Sequence, residues 1–131
     1  MRLKLMIGIW TAVLIIALGG GAALAADARS VDVTVAQTRQ LIQERGGKAD
    51  FVVLDVRTPE EFATGRLPGA VNVDIQVPKF QDRLAALDRG KTYLVYCRTG
   101  NRSARAVRVM KSLGFQSVYH MTEGILRWER K

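Results

Sequence analysis

The sequence predicts an α/β fold: a single domain with a mainly parallel sheet flanked by helices. Three observations lead to this prediction. Two continuous apolar runs, Phe51–Val56 and Thr92–Tyr96, are typical of parallel strands that are buried on both faces. Segments with a helical spacing of apolar residues alternate with strand-like segments along the chain. About 105 residues follow an apolar N-terminal segment, which is enough for one compact core and too few for two.

The remaining strands are expected to be short. Val31–Val33 is the first of them, at the start of the domain. Val71–Val73 follows Pro68-Gly69, which is a turn signal. Ser117–Met121 is the last strand. Together with the two buried runs, these segments complete the expected sheet.

The first two helices are indicated by capping signals. Thr34 and Gln37 form a capping box that starts a helix to about Glu44, and Gly46-Gly47 stops it. The next helix starts at Thr58-Pro59-Glu60-Glu61. This segment supplies a cap, a proline at the first helical position and two acids at the positive end of the helix dipole.

The later helices are indicated mainly by the spacing of their apolar residues. We expect them over Lys79–Leu87, Ser103–Leu113 and Ile125–Arg130. In the first two, the apolar residues fall on one face, as in a helix that packs on a core. Gly90 and Gly114 are expected to end those two helices.

An export signal precedes the domain. Arg2 and Lys4 form a positive start, Leu5–Leu18 is an uncharged apolar run, and Ala23-Leu24-Ala25 places small residues at a signal-peptidase site. The apolar stretch is barely long enough to span a membrane. We therefore expect residues 1–25 to be a cleaved signal peptide, and residues 26–131 to be a periplasmic domain. Retention of the segment as a membrane anchor is the alternative.

The composition excludes several classes of protein. The chain has one cysteine, Cys97, and one histidine, His120, so a disulfide framework is ruled out and a zinc site nearly so. We expect no metal and no cofactor, and a structural role for His120. The formal charge falls only from +8 to +6 without the first 26 residues. Export and the lack of basic runs interleaved with aromatics argue against nucleic acid as a partner. A general attraction for small anions explains the positive charge equally well.

Cys97 lies where open α/β sheets place their sites, directly after a buried strand and before a helix. Gly100 permits a tight loop whose successive N–H groups form an anion nest. The helix N-terminus, Arg98 and Arg102 add positive potential, so we predict a lowered pKa for the Cys97 thiol. The alternative is a buried structural cysteine, which two nearby arginines disfavour.

Four separated motifs carry a family resemblance. They are Leu54-Asp55-Val56-Arg57 with Glu60-Glu61-Phe62, the segment 65–72 (GRLPGAVN), the segment 95–103 (VYCRTGNRS), and Gly124 with Trp128. In this order they resemble the rhodanese-like domain family, particularly its small, exported, single-domain members, over roughly Thr34–Trp128. The resemblance implies that Cys97 takes a sulfane sulfur from a donor as a persulfide. It then passes the sulfur to a thiophilic acceptor such as cyanide or a thiol, including the thiol of a protein.

The resemblance and the residue chemistry together assign site roles. Cys97 is the nucleophile, and the expected substrate- or anion-binding residues are Arg98, Thr99, Gly100, Asn101, Arg102 and Ser103. Arg98 recruits an anionic donor, by default thiosulfate. Arg102 either faces the substrate or folds back to brace the loop, and Ser103 is expected to cap the following helix.

Three further residues are expected to support the site. Asp55 either pairs with an arginine or caps the end of its strand. Arg57 either contacts substrate or, as the favoured interpretation, is a structural ion-pair partner. Arg66 stands where the family commonly has histidine and adds a positive charge. A second departure is Glu123, which stands where the family usually has a first glycine before Gly124.

Two other functions remain open from the sequence. Cysteine-dependent phosphatases use Cys-x5-Arg, whereas four residues separate Cys97 from Arg102. The shorter loop suits one sulfur atom, so a phosphatase or arsenate reductase ranks below a sulfurtransferase. The second alternative is a sulfur-binding or partner-docking module with little turnover.

Overall fold

The computed structural model describes residues 29–130, which form a five-stranded sheet with helices on both faces. The predicted signal peptide lies outside the described residues. The strands are β1 (Arg29–Val33), β2 (Phe51–Asp55), β3 (Val71–Asn72), β4 (Thr92–Tyr96) and β5 (Ser117–Met121). The helices are α1 (Val35–Arg45), α2 (Pro59–Thr64), α3 (Phe80–Ala85), α4 (Asn101–Ser112) and α5 (Gly124–Trp128). Every strand pair is parallel, in the order β1-β5-β4-β2-β3, so the predicted α/β fold is confirmed.

The capping signals form as predicted. Thr34 Oγ1 accepts from the Gln37 N–H at 3.1 Å, and Gln37 Oε1 accepts from the Thr34 N–H at 2.9 Å, so the capping box of α1 is complete. Thr58 Oγ1 accepts from the Glu61 N–H at the start of α2, with Pro59 in the first turn. Each signal satisfies helix N–H groups that have no partner within the helix.

Three helix boundaries lie two residues from their predicted positions, and one of them is the end of α5, at Trp128 and not at Arg130. α3 ends at Ala85, before the expected Leu87, because the Leu87 N–H donates to the Leu84 carbonyl three residues back and so tightens the last turn. α4 begins at Asn101 and not at Ser103. Gly100 adopts a left-handed φ of 101°, which turns the chain directly from the loop into the helix.

The sheet separates two apolar cores. On one face, α3 and α4 cover Leu54, Tyr93 and Val95, with Phe80, Leu84, Ala106, Val107 and Met110 contributed by the helices. On the other face, α1 and α5 cover Phe51, Val53, Leu94 and Tyr96. β4 is central, and all five of its residues are buried. Cys97 therefore emerges from the most enclosed strand of the sheet.

The strand order creates a place for a site beside Cys97. From β4 the chain crosses through α4 to β5 on one side, whereas from β2 it crosses through α2 to β3 on the other. The connections after β4 and β2 thus diverge, and crevices at such points bind ligands in open α/β sheets. Within residues 29–130, no helix has the length and apolarity needed to cross a bilayer.

Candidate active site

The turn from β4 into α4 carries Cys97 and depends on Gly100. Besides its positive φ, Gly100 packs so closely on the end of β5 that a Cβ there would overlap the carbonyl of Thr122. Only glycine meets both requirements without a shift of the backbone. The loop is thereby drawn tightly over the end of the sheet, and its N–H groups turn inward.

The sulfur of Cys97 lies inside a cradle of donors. The Gly100 N–H donates to Cys97 Sγ at 3.1 Å, and Ser103 Oγ lies 3.3 Å from the same sulfur. Burial raises the pKa of the Cys97 thiol, but the Ser103 hydroxyl and the N–H groups of Ser103, Gly100 and Thr99 outweigh it. The net pKa is lowered, so these groups stabilise the thiolate.

Cys97 is only 1% exposed, although the two nearby arginines disfavoured a buried cysteine. The side chain packs with the α3 and α4 core, and the loop closes over its sulfur. Arg98, Thr99 and Asn101 are exposed at the rim. The Cys97 sulfur is thus kept from bulk water, and the exposed part of the loop is formed by its neighbours.

Ser103 does not cap α4, contrary to the sequence prediction. It is the third residue of the helix and fully buried, and its hydroxyl lies within hydrogen-bond distance of the Gly100 carbonyl, at 3.0 Å. The helix begins with Gly100 in the cap position, which rotates Ser103 inward beneath Cys97. Ser103 therefore belongs to the cradle and not to the helix end.

His120, for which the sequence indicated only a structural role, lies beside two polar side chains. Its Nε2 lies 2.7 Å from Ser103 Oγ, and its Nδ1 lies 3.6 Å from Asp32 Oδ1. Asp32 and His120 are register partners on the adjacent strands β1 and β5. A chain of polar groups thus runs from Cys97 through Ser103 and His120 to Asp32.

Arg102 folds back from the site. Its guanidinium makes two hydrogen bonds to the Glu61 carboxylate, at 2.6 and 3.0 Å. Of the two roles left open by the sequence, the structure shows the brace: α4 is tied to α2 across the divergence between β4 and β2.

Asp55 and Arg57 form a buried pair at the end of β2. Arg57 donates to Asp55 from its guanidinium, at 2.6 Å in the shortest bond, and from its backbone N–H at 2.9 Å. Asp55 thus both pairs with an arginine and closes the end of its strand. The Tyr96 hydroxyl donates to the same carboxylate at 2.7 Å and accepts from the Leu67 N–H. This network joins the ends of β2 and β4 to Leu67, and so holds the connection after β2 beside the Cys97 loop.

A cleft of about 220 Å³ lies between these connections. It is lined by Arg57, Glu61, Thr64, Arg98, Ile125, Leu126 and Glu129. Arg98 is exposed, so its charge is available to an incoming anion. Arg66 does not line this cleft, because its guanidinium stacks on the Phe62 ring with 4.2 Å to the ring centroid.

The turn between β5 and α5 closes the site from the other side. The N–H groups of Ile125 and Leu126 donate to the carbonyls of Cys97 and Arg98, at 2.9 and 3.1 Å. Gly124 has a φ of 70°, and a Cβ there would overlap the carbonyl of Arg98. Glu123 has an ordinary helical φ of −78°, so no glycine is required at that position.

Sequence reasoning missed four residues of this site: Asp32, Glu61 as the partner of Arg102, Tyr96 and His120. Asp32 and His120 are polar residues within predicted strands, which is the one signal that pointed to them. Their contact depends on β1 lying beside β5, and strand order cannot be read from local pattern. Tyr96 appears in the sequence only as an aromatic residue of an apolar run.

Comparisons with known proteins agree with this geometry. The family model described as the rhodanese-like domain matches residues 35–131. A protein of Allochromatium vinosum named sulfurtransferase is 28% identical over 93 residues, which are 71% of this chain and 85% of that protein. The crystal structure of a rhodanese-related protein from Thermoplasma volcanium is 32% identical, with a TM-score of 0.61 over 74% of this chain and 88% of that one.

A longer relative matches only in part. A Mycobacterium tuberculosis protein named probable adenylyltransferase/sulfurtransferase MoeZ is 33% identical over 81 residues, which are 62% of this chain and 21% of that protein. The family match, in contrast, includes all the described helices and every described strand after β1. The chain therefore belongs to the rhodanese-like domain family.

Proposed function

We propose that this chain is a sulfurtransferase that carries a sulfane sulfur as a Cys97 persulfide, with thiosulfate as the default donor. The acceptor is a thiophile such as cyanide or a thiol, including a protein thiol. The observation that carries this proposal is the cradle around Cys97 Sγ, where the Gly100 N–H and the Ser103 hydroxyl converge on one sulfur. The relative named sulfurtransferase in Allochromatium vinosum supports the same class of reaction.

The first step loads the sulfur. The Cys97 thiolate attacks the sulfane sulfur of thiosulfate, a new S–S bond forms, and the old one breaks so that sulfite leaves with the electron pair. The product is a Cys97 persulfide anion. The N–H groups that lower the pKa of Cys97 also stabilise this anion, because they are fixed before the reaction and need no reorganisation.

The second step unloads it. An acceptor such as cyanide attacks the terminal sulfur, a C–S bond forms, and the persulfide S–S bond breaks to return the Cys97 thiolate. Covalent catalysis of this kind divides one difficult transfer into two easier ones. Exposed Arg98 at the rim recruits the anionic donor.

The position of Arg102 supports sulfur transfer over phosphate chemistry. A phosphatase of the Cys-x5-Arg type needs its arginine to hold a phosphate. Here both terminal nitrogens of Arg102 are engaged by Glu61. The cradle that remains is made mainly of backbone N–H groups and one hydroxyl, which fits an uncharged or singly charged sulfur atom better than a phosphate dianion.

Intact-mass measurement tests the proposal. Protein treated with thiosulfate should gain the mass of one sulfur and lose it after cyanide is added. Cys97→Ser and Cys97→Ala should gain nothing, since no second cysteine can substitute. Thiosulfate:cyanide activity retained in Cys97→Ser would refute the mechanism. Sulfur uptake by the wild type without release to any acceptor would favour a sulfur-binding or partner-docking module.

Export to the periplasm is part of the proposal. The support is the order of a positive start, an apolar run and a small-residue cleavage site in residues 1–25. N-terminal sequencing of protein from the periplasmic fraction should begin at Ala26. Membrane-bound protein that begins at Met1 would show that the segment is retained as an anchor.

A further inference from the structure

Ser103 belongs to the cradle around Cys97, but His120 and Asp32 behind it have no role in either step of sulfur transfer. Ser103 and His120 are buried, at 0% and 6% exposure, and His120 is the only histidine of the sequence. We propose that His120 acts through the Ser103 hydroxyl to take up the proton that Cys97 loses, and so holds Cys97 as the thiolate. This inference deepens the sulfur-transfer function proposed above and rests on it.

The Ser103 hydroxyl has one proton and three neighbours. These are Cys97 Sγ at 3.3 Å, the Gly100 carbonyl at 3.0 Å and His120 Nε2 at 2.7 Å. The Gly100 carbonyl also accepts from the Ala104 N–H at 3.0 Å, so it is satisfied without the hydroxyl. The proton of Ser103 is thus free to point either to the sulfur or to the imidazole.

Asp32 influences which ring nitrogen of neutral His120 carries the hydrogen. The Asp32 carboxylate, 3.6 Å from Nδ1, favours the tautomer in which this nitrogen carries the hydrogen. In neutral His120, Nε2 then carries a lone pair and accepts a hydrogen bond from the Ser103 hydroxyl. Ser103 Oγ in turn accepts from the Cys97 thiol. In protonated His120, Nε2–H donates to Ser103, and the Ser103 hydroxyl is released to donate to the Cys97 thiolate.

The two arrangements differ by the net transfer of one proton from Cys97 to His120, and no other reactant is needed. The Cys97 proton passes to Ser103 Oγ while the proton of Ser103 passes to His120 Nε2. The result is a thiolate and an imidazolium joined through the hydroxyl. His120 is therefore a positioning residue, since it acts on the nucleophile only through Ser103.

The surrounding charges act on both ends of the chain. Burial lowers the pKa of His120 by more than the Asp32 carboxylate and the Gly100 carbonyl raise it, so the net pKa lies below the ordinary value for histidine. At the other end, the charge of Arg102 acts on Cys97 from α4. The imidazolium therefore depends on Asp32 and on the thiolate itself, which makes Cys97 and His120 a coupled pair.

Replacing Asp32 tests the sign of this coupling. If Asp32 acted on Cys97 only by charge repulsion, Asp32→Asn would lower the pH midpoint of Cys97 alkylation by iodoacetamide. If Asp32 acts through His120 instead, Asp32→Asn removes the partner of the imidazolium and should raise the pH midpoint of alkylation by about half a unit. Asp32 is 76% exposed, so the variant should fold, and Asp50→Asn at a site 70% exposed is the matched control with no shift.

Replacing His120 separates a proton-holding role from a structural one. His120→Gln keeps an amide within reach of Ser103 but takes up no proton, so the alkylation midpoint should rise by about one unit. In this background, Asp32→Asn should no longer raise it. An unchanged midpoint in His120→Gln, or a lowered one in Asp32→Asn, would overturn the proposal.

A measurement on the histidine covers the case in which His120→Gln does not fold. The pKa of the single imidazole, followed by NMR, should be higher in the wild type than in Cys97→Ser, because coupling between two sites is reciprocal. Equal values would contradict the inference. None of these measurements uses a sulfur donor. Failure of thiosulfate to load the wild type would refute the proposed function alone and leave the coupling result standing.

Discussion

Arg102 and Glu61 join the Cys97 loop to the neighbouring connection through a two-bonded ion pair. The shorter bond, from Arg102 Nη1 to Glu61 Oε1, measures 2.6 Å. The Arg102 hydrogen bond lowers the pKa of Glu61 to about 2, although partial burial opposes this shift. Because Glu61 holds Arg102, the second residue of α4, this helix starts from a fixed position beneath Cys97.

Glu61→Gln should destabilise the domain by about 1 kcal/mol, because one charge of a half-buried pair is lost. The effect should also depend on pH. The pKa of Glu61 is lower in the folded state than its unfolded value of about 4.3, so its stabilisation is present above that value and lost as the pH falls toward 2. Urea denaturation from pH 7 to pH 3 measures both effects. Glu60→Gln, in the same helical turn but exposed, is the control, and an equal loss in both variants would contradict the role of the pair.

Gly124→Ala should cost more stability than Gly114→Ala. Both glycines have positive φ, 70° and 84°, but a Cβ at Gly124 would overlap Arg98 backbone, whereas nothing lies within 4 Å of one at Gly114. We expect about 1 kcal/mol for Gly114→Ala, from the backbone conformation alone, and about 3 kcal/mol for Gly124→Ala. Chemical denaturation gives the difference. Similar losses of stability would show that the close approach of Gly124 to the Arg98 backbone adds nothing to the cost of the substitution.

Arg98→Gln should lower kcat/KM for thiosulfate, by about threefold to tenfold at low ionic strength, because an exposed cation at the rim steers the anionic donor. The wild-type rate should fall as salt is added, and the variant should respond less. Arg108→Gln, which removes an exposed charge further along α4, is the comparison. A wild-type rate that does not change with salt would exclude steering.

A glycine inserted between Asn101 and Arg102 should abolish sulfur uptake. The insertion gives the loop the length used by phosphatases and turns Ser103 about 100° around the helix, away from Cys97 and His120. It also separates Arg102 from Glu61. Intact mass after thiosulfate treatment measures uptake, and a glycine inserted in the exposed turn at Gly46-Gly47 controls for insertion as such. Uptake by the first variant would show that loop length is not decisive.

Local pattern was sufficient to predict the fold class. Apolar runs marked both buried strands, and capping residues such as Thr34 and Thr58 marked helix starts, because each signal acts within a few residues. The location of Cys97 followed from the same level of information. It comes directly after a run that is buried on both faces, and such strands end at the edge where α/β sheets carry their sites.

The tertiary structure decided which side chains meet there. Ser103 was assigned to a helix end from its place in the sequence, but the left-handed Gly100 starts the helix earlier and turns the hydroxyl toward Cys97. Arg102 had two open roles until Glu61, 41 residues away in the chain, was seen beside it. His120 gained its partners only from the order of the strands, which places β1 beside β5. Short-range signals determine elements and their ends, whereas these contacts depend on how distant elements pack, which no local window of the sequence contains.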